Sequence, residues 1–394
     1  MTKSVLICGA GIAGCCLGWW LARYDYDVTL VEQAKAPRQG GYVIDFWGLG
    51  YQVAERMGVL EVLKAEDLAI EQMRIVDHKG HRISGFNQAA LGKLTGGRIM
   101  SLPRSALALA LYEAVKDRVT VRLGDSIRHI LQSESGVGVG FRSGDAARYD
   151  LVIGADGLHS TVRALAFGED AESERFLGYY AAAFTAENYP HRDPNAYIMY
   201  GRPGRQIARI TLKSDASVFL LLFSSEWAAR AIPSDGVGQK GLLRQVFSGA
   251  GWESKEILDA LEASTDLYFD RMSQIEMPNW CNGRVALLGD ACACPSLLAG
   301  EGSSMAMAEA YTLAGELHAC KGDYRKAFDA YQKHLQSFAL RKQKAARGFA
   351  SSFVPKTSLG LWLRNTSLRV ISSLGLSEWA FRAQLNDPFK LPKY

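Results

Sequence analysis

The chain has 394 residues, 48% of them hydrophobic, and carries 45 Lys and Arg against 41 Asp and Glu, a formal charge of +4. This length supports two or three packed domains with substantial cores. The near balance of charge, with no Lys/Arg block, argues against a nucleic-acid partner. Seven cysteines (Cys8, Cys15, Cys16, Cys281, Cys292, Cys294 and Cys320) are an odd number without framework spacing, which points to a reduced, cytoplasmic setting. The seven histidines are scattered without ligand spacing, so no metal site is expected. No stretch has the apolar length of a membrane span, and the first residues lack a signal-peptide pattern.

Residues 4–9 form a short apolar run ending in glycine, and helical periodicity follows to about Tyr24. Residues 27–32 (Asp-Val-Thr-Leu-Val-Glu) read as a second buried strand, so the start of the chain predicts a right-handed βαβ unit. A helix is expected over residues 48–64, then short strands at 72–77, 82–86 and 98–102. Residues 105–115 are Ala/Leu-rich and helical, and strand character returns at 119–123, 137–141 and 148–153. Residues 178–223 are β-like and rich in Tyr and Phe, with turns at Pro203-Gly204 and Ser214-Asp215. Helices are expected near 241–247 and 254–262, a strand at 284–288, and helices over 303–320 and 324–347.

This order fits an α/β fold: a Rossmann-like domain (residues 1–76, 98–175 and 276–350) carrying an inserted mixed β-sheet domain (77–97 and 176–275). Residues 351–394 are expected as a C-terminal helical tail. Its apolar face would comprise Leu359, Trp362, Leu363, Leu368, Val370 and Ile371, docked on the body. A pocket-covering helix or a membrane-surface helix are the alternatives.

Three motifs carry chemistry. In Gly9-Ala-Gly11-Ile12-Ala13-Gly14, Gly9 permits a tight turn, Gly11 admits a pyrophosphate against the backbone, and Gly14 lets helix and strand pack closely. The helix N-terminus then offers N–H groups and partial positive charge to phosphates. Alone, the hexapeptide would also suit an ordinary glycine turn. Glu32, however, ends the second strand at the offset of about 20 residues where an acid accepts ribose hydroxyls. An acid there repels a 2′-phosphate, which favours FAD or NAD as the bound nucleotide. The second motif, Asp150-Leu-Val-Ile-Gly-Ala-Asp156-Gly157-Leu-His-Ser160, brings an acid and a glycine to a strand's C-terminal end, where open α/β sheets bind ligands. The third, Arg284-Val-Ala-Leu-Leu-Gly289-Asp290-Ala-Cys-Ala-Cys-Pro295, leads to Gly300-Glu-Gly302-Ser303 and a long helix. The N-terminus of that helix suits the electron-rich edge of a reduced flavin.

Together, in this order and spacing, the motifs resemble the class A flavoprotein monooxygenases of the para-hydroxybenzoate hydroxylase fold, over roughly residues 1–350. Arg38-Gln-Gly40-Gly41-Tyr-Val-Ile-Asp45, Gly251-Trp252-Glu253 and the aromatic tail look most like the tetracycline-inactivating flavoenzymes, and antibiotic-tailoring hydroxylases share much of this. The resemblance implies that Gly9, Gly11, Ile12, Ala13, Gly14 and Glu32 hold the ADP half of FAD. It implies that Arg104 and Asp156-Gly157 contact the cofactor, that Gly289-Asp290 and Pro295 bind near the ribityl chain, and that Gly300, Gly302 and Ser303 face the isoalloxazine. Arg38 and Gly41 match the loop beside the ring.

The reaction so implied is hydroxylation of an aromatic or polyketide-like small molecule, tetracyclines among the candidates, through a flavin C4a-hydroperoxide made from NADPH or NADH and O₂. The protein would act as a monomer or weak dimer. No catalytic base is identifiable; Tyr179, Tyr197, Tyr200 and Arg209 are candidates to line the substrate pocket, with alternation placing about half on the wrong face. Family members carry a basic residue where Gln33 stands, Gly-Gln-Gly followed by Asn where Glu301 and Ser304 stand, and Ala-His in place of Cys292-Ala-Cys294. These departures bear on flavin tuning. The competing readings are a halogenase, with Lys79 as its only lysine in the right region, a flavin reductase, and a non-catalytic flavin-binding protein.

Overall fold

The computed structural model describes residues 3–37, 40–87, 89–168, 173–228, 231–374 and 389–394. Val5, Leu6 and Ile7 are fully buried in the strand Ser4–Cys8. This strand lies near the centre of a six-stranded sheet ordered Cys281–Asn282, Val285–Leu287, Leu151–Gly154, Ser4–Cys8, Asp27–Glu32, Thr120–Leu123. All pairings are parallel except the short edge strand Cys281–Asn282. Such strands are covered on both faces, which is why they read as unbroken apolar runs rather than as alternation. The helix Ile12–Arg23 packs against Arg104–Val115 and against Gly302–Ala319, the last buried over nearly its whole length.

A second, seven-stranded mixed sheet runs Tyr268–Ile275, Glu174–Ala186, Ser217–Ser224, Arg205–Thr211, Ala196–Arg202, Gln72–Val76, Arg82–Asn87. Its two faces follow the two-residue period of the strands. Phe219, Leu221 and Phe223 point away from the six-stranded sheet, into a core with Phe247 of the helix Gly236–Phe247 and Ile257 and Leu261 of Ser254–Ala263. Leu220 and Leu222 point the other way.

Several expectations are corrected. The helix expected over 48–64 is two, Gly48–Met57 and Leu60–Ala65, because Gly58 takes a left-handed turn (φ 76°) and caps the first. The strand expected at 148–153 divides into Ala146–Tyr149 and Leu151–Gly154, which belong to different sheets. Between them, the Asp150 carboxylate accepts the Ser4 backbone N–H at 2.8 Å. Strands at Ile127–Ser133 and Tyr268–Ile275 were not anticipated. Gln72–Val76 already belongs to the seven-stranded sheet, through parallel pairing with Ala196–Arg202, and so precedes the change of layer expected at residue 77.

The tail is only partly helical. Tyr324–Phe353 and Ser358–Ser373 are helices. Residues 375–388, with Trp379 and Phe381, lie outside the described residues. Residues 389–394 form an irregular strap in which the Tyr394 ring lies against Gly315 and its O–H donates to Glu316 at 2.7 Å. In the helix Ser358–Ser373 the docked side is Leu361, Arg364 and Leu368; Leu359, Trp362, Leu363 and Val370 remain exposed, so most of the expected apolar face is not the docked one. Arg364 decides this orientation, donating to Gln206 and to the Phe353 carbonyl, both at 2.8 Å. Among the described residues, no helix is long and apolar enough to cross a membrane.

Arg209 and Tyr200 sit on the far face of the seven-stranded sheet. The Arg209 guanidinium is buried and donates to Asp193 at 2.8 Å and Glu253 at 3.2 Å, while the Tyr189 O–H donates to Glu253 at 3.0 Å. Removing one partner of a buried ionic network leaves the others uncompensated. Arg209→Met is therefore expected to cost about 3 kcal/mol or more of stability in denaturant titration. A loss below about 1 kcal/mol would show that the network is not a structural anchor.

Candidate active site

Three strand ends of the six-stranded sheet build one wall of a long cleft. Gly9 (φ 104°) donates its N–H to Val31 O at 2.7 Å, and a Cβ there would collide with Ala155 O. A Cβ on Gly14 would collide with Gly9 O. At Gly11 it would meet no protein atom within 4 Å. Gly9 and Gly14 are thus required by the protein's own backbone packing, whereas Gly11 borders open space. That space is a chamber of about 240 Å³ lined by Gly9, Gly11, Ile12, Glu32, Arg104, Asp156, Gly157 and His159. Glu32 is held by the N–H groups of Ala10 at 3.0 Å and Ala34 at 2.9 Å. Asp156 accepts from Val162 N–H at 3.0 Å and from the Ser160 hydroxyl, which in turn caps the helix Thr161–Phe167. Burial raises the Asp156 carboxyl above its usual range, and these hydrogen bonds pull it back.

A second chamber of about 110 Å³ continues from the first, sharing Gly11, Ile12, Arg104 and Gly157. Its other walls include Ala13, Tyr42, Asp290, Pro295, Gly300, Gly302 and Ser303. Gly11, Asp156 and Asp290 therefore border one continuous cleft. Gly302 opens the helix Gly302–Ala319, so the first N–H groups of that helix lie at this chamber. Gly289 (φ 66°) does not line the cleft; it donates its N–H to the buried Glu309 at 2.6 Å and so aims Asp290. Burial pushes the Glu309 carboxyl up to about 8. Gly41 (φ 106°) sits beside Tyr42 with nothing near its Cβ position, and Arg38 lies outside the described residues.

The departures at Glu301, Ser304, Cys292 and Cys294 are absorbed by packing. Glu301 pairs with Lys342 of the helix Tyr324–Phe353, both side chains nearly buried, and the Lys342 ammonium lies 5.7 Å from the Trp47 ring centre. Ser304 donates to Trp47 O at 3.0 Å. Cys292 and Cys294 are buried, which pushes both thiols well above their usual range, and Cys294 also lines the second chamber.

A third chamber, about 240 Å³, opens beyond the second and shares Tyr42, Ile44, Leu297 and Gly300 with it. Met73, Phe86, Met199, Leu220, Leu222 and Phe353 make it largely apolar; Asp45, Ser101 and Tyr197 are polar. Of the four expected pocket residues only Tyr197 lines it. Tyr200 and Arg209 lie on the far sheet face, where the Tyr200 O–H donates to Ala250 O. Tyr179 is on the near side but covered by Val354, whose carbonyl its O–H reaches at 3.1 Å. Asp45 and Ser101 were missed as pocket residues, although the alternation of residues 43–47 places Val43 and Asp45 on one strand face. Lys79 is exposed in a turn, lining none of these chambers. Among the described residues no His/Cys/Asp/Glu cluster suits a metal.

An elongated cleft with a glycine edge, an acid at one end and a helix N-terminus at the other fits FAD. Gly11→Ala should leave stability without cofactor within about 0.5 kcal/mol while weakening FAD retention at least about tenfold; Gly14→Ala should lose about 2 kcal/mol or more of stability. Equal losses in the two variants would refute this division of roles. Lys342→Met should cost about 3 kcal/mol by removing the ammonium paired with Glu301, and the cost should be smaller in a Glu301→Gln background. Strict additivity of the two substitutions would contradict the pairing.

A family model described as an FAD binding domain matches residues 2–342. A flavin-dependent monooxygenase from an unknown prokaryotic organism is 33% identical over 358 residues, covering 90% of this chain and 92% of the relative. One from Legionella longbeachae is 33% identical over 363 residues, covering 90% and 91%. The tetracycline destructase Tet(51) superposes with a TM-score of 0.83 at 30% identity over the whole of both chains. Klebsiella pneumoniae HpxO complexed with FAD and uric acid superposes at 0.79 over 97% and 96%, with 20% identity, a likeness of fold alone. With the cleft and its three motifs, these matches mean that the chain belongs to the class A flavin-dependent monooxygenases, enzymes that bind FAD.

Proposed function

We propose that the protein hydroxylates a largely apolar, ring-shaped small molecule, of aromatic or polyketide-like type, with O₂ and electrons from NADPH or NADH. The observation that carries this reading is the junction of chambers: Leu297 and Gly300 line both the cofactor cleft and the apolar chamber. In this reading Gly9, Gly11 and Glu32 receive the ADP half of FAD, Arg104 and Asp290 the middle, and Gly300, Gly302 and Ser303 the ring. Bound there, FAD supplies the reductive activation of O₂. The chain's own contribution is positioning and charge. Ser303 and the free N–H groups at the start of Gly302–Ala319 favour negative charge on the ring edge. Met199, Leu220, Leu222 and Phe353 exclude water from the reacting centre. The resemblance to tetracycline destructases makes tetracyclines the first compounds to test. The exposed position of Lys79 favours hydroxylation over halogenation.

The purified protein should be yellow, and NADPH or NADH should bleach its flavin under argon. With a substrate and ¹⁸O₂, the product should gain one labelled oxygen; unlabelled product, or a flavin that neither nucleotide reduces, would end this reading. Asp290→Ala should weaken FAD retention at least about tenfold, and a variant that keeps its flavin as tightly as the parent would remove Asp290 from the site.

A further inference from the structure

Ser296 differs from the other walls of the second chamber in two respects. Its backbone has φ 80° and ψ 152°, a region all but confined to glycine. The residue is 4% exposed, and among the described residues its hydroxyl has no hydrogen-bond partner. Of the described residues lining this chamber, only Ser296 has a buried side-chain oxygen left so. The main chain beside it is pinned. The buried side chains of Gln274 and Gln343 donate to the carbonyls of Pro295 at 3.0 Å and Cys294 at 3.1 Å. The Ser296 carbonyl itself accepts the Ala299 N–H at 3.1 Å. A strained turn persists only where its surroundings hold it in this way. A buried hydroxyl without a partner is destabilising, and native interiors rarely leave one.

We propose that Ser296 is a cofactor contact: with FAD bound, its hydroxyl turns about χ1 and donates a hydrogen bond to an acceptor on the isoalloxazine ring. The inference rests on the monooxygenase reading of the same cleft and adds a residue to it. The ring edge carries carbonyl oxygens and nitrogens that accept hydrogen bonds, and a serine hydroxyl moves among staggered wells to meet one. A donor there favours the electron-rich reduced ring over the oxidised one. The protein thus holds a serine where glycine would be less strained, and the hydrogen bond made to the cofactor offsets what the free protein loses.

The test compares Ser296→Ala, which removes the hydroxyl and keeps the strained turn, with Ser296→Gly, which removes the hydroxyl and relieves the turn. In urea titration of the flavin-free full chain, the midpoint is expected to stay level or rise in Ser296→Ala and to rise further in Ser296→Gly. Both variants are expected to bind FAD at least about fivefold more weakly than the parent, by similar factors. Once saturated with FAD, both should show flavin absorption bands shifted from those of the parent. A lower flavin-free midpoint in Ser296→Ala would show that the hydroxyl already serves the protein, and would overturn the inference. Parental FAD affinity in either variant, or absorption bands unchanged in both, would overturn it as well. The two levels are separable. A parent that binds FAD alongside variants that bind it equally tightly sinks the role of Ser296 alone, and a parent that takes up no flavin sinks the reading beneath it.

Discussion

The site depends on a contact between backbones. The turn at Gly9, the first turn of the helix Ile12–Arg23 and the strand end at Ala155 approach so closely that no side chain fits between them at Gly9 or Gly14. This packing locks the first and second motifs side by side, and the parallel pairing of Leu151–Gly154 with Val285–Leu287 adds the third. Once the three strand ends are in register, a cleft along their C-terminal edge follows from the topology of an open parallel sheet. Gly11 differs in kind from its neighbours, since nothing in the protein requires its missing side chain.

Charge along the cleft is arranged in sequence: Glu32 at one end, Arg104 and Asp290 in the middle, a helix N-terminus at the other. The acids are held in place by main-chain N–H groups rather than by cations, Glu32 through Ala10 and Ala34 and Asp156 through Val162. Such bonds orient a carboxylate while leaving its charge available to a ligand. In the turn before the helix Gly302–Ala319 the chain carries an acid, Glu301, and answers it with Lys342, 41 residues further along. The turn therefore stays close to neutral, and the dipole of the helix Gly302–Ala319 is not cancelled by an unpaired anion at its start.

The seven-stranded sheet separates two environments by its pleat. Its far face holds the Phe-rich core and the Arg209 network, and its near face holds Tyr197, Met199, Leu220 and Leu222 against the cofactor cleft. A one-residue slip in any of these strands would exchange core for pocket. The long helix Tyr324–Phe353 closes the arrangement, contributing Lys342 at the turn and Phe353 at the chamber.

Much of the nucleotide half was legible from residues alone. Apolar runs ending in glycine and acid identify buried parallel strands, because the constraints involved are local: a positive φ, a close backbone approach, a helix start. The order of strands and helices likewise implied a second, inserted sheet. Other features were decided only by tertiary structure. Which tyrosine faces the chamber depends on strand register, and register is set by partners more than a hundred residues away, as in the pairing of Gln72–Val76 with Ala196–Arg202. The meaning of Glu301 depended on Lys342, and that of Arg209 on Asp193 and Glu253, because a charge reads as site or scaffold only once its neighbours are known. Local backbone chemistry is written in consecutive residues; the environment of a side chain is a property of the folded whole.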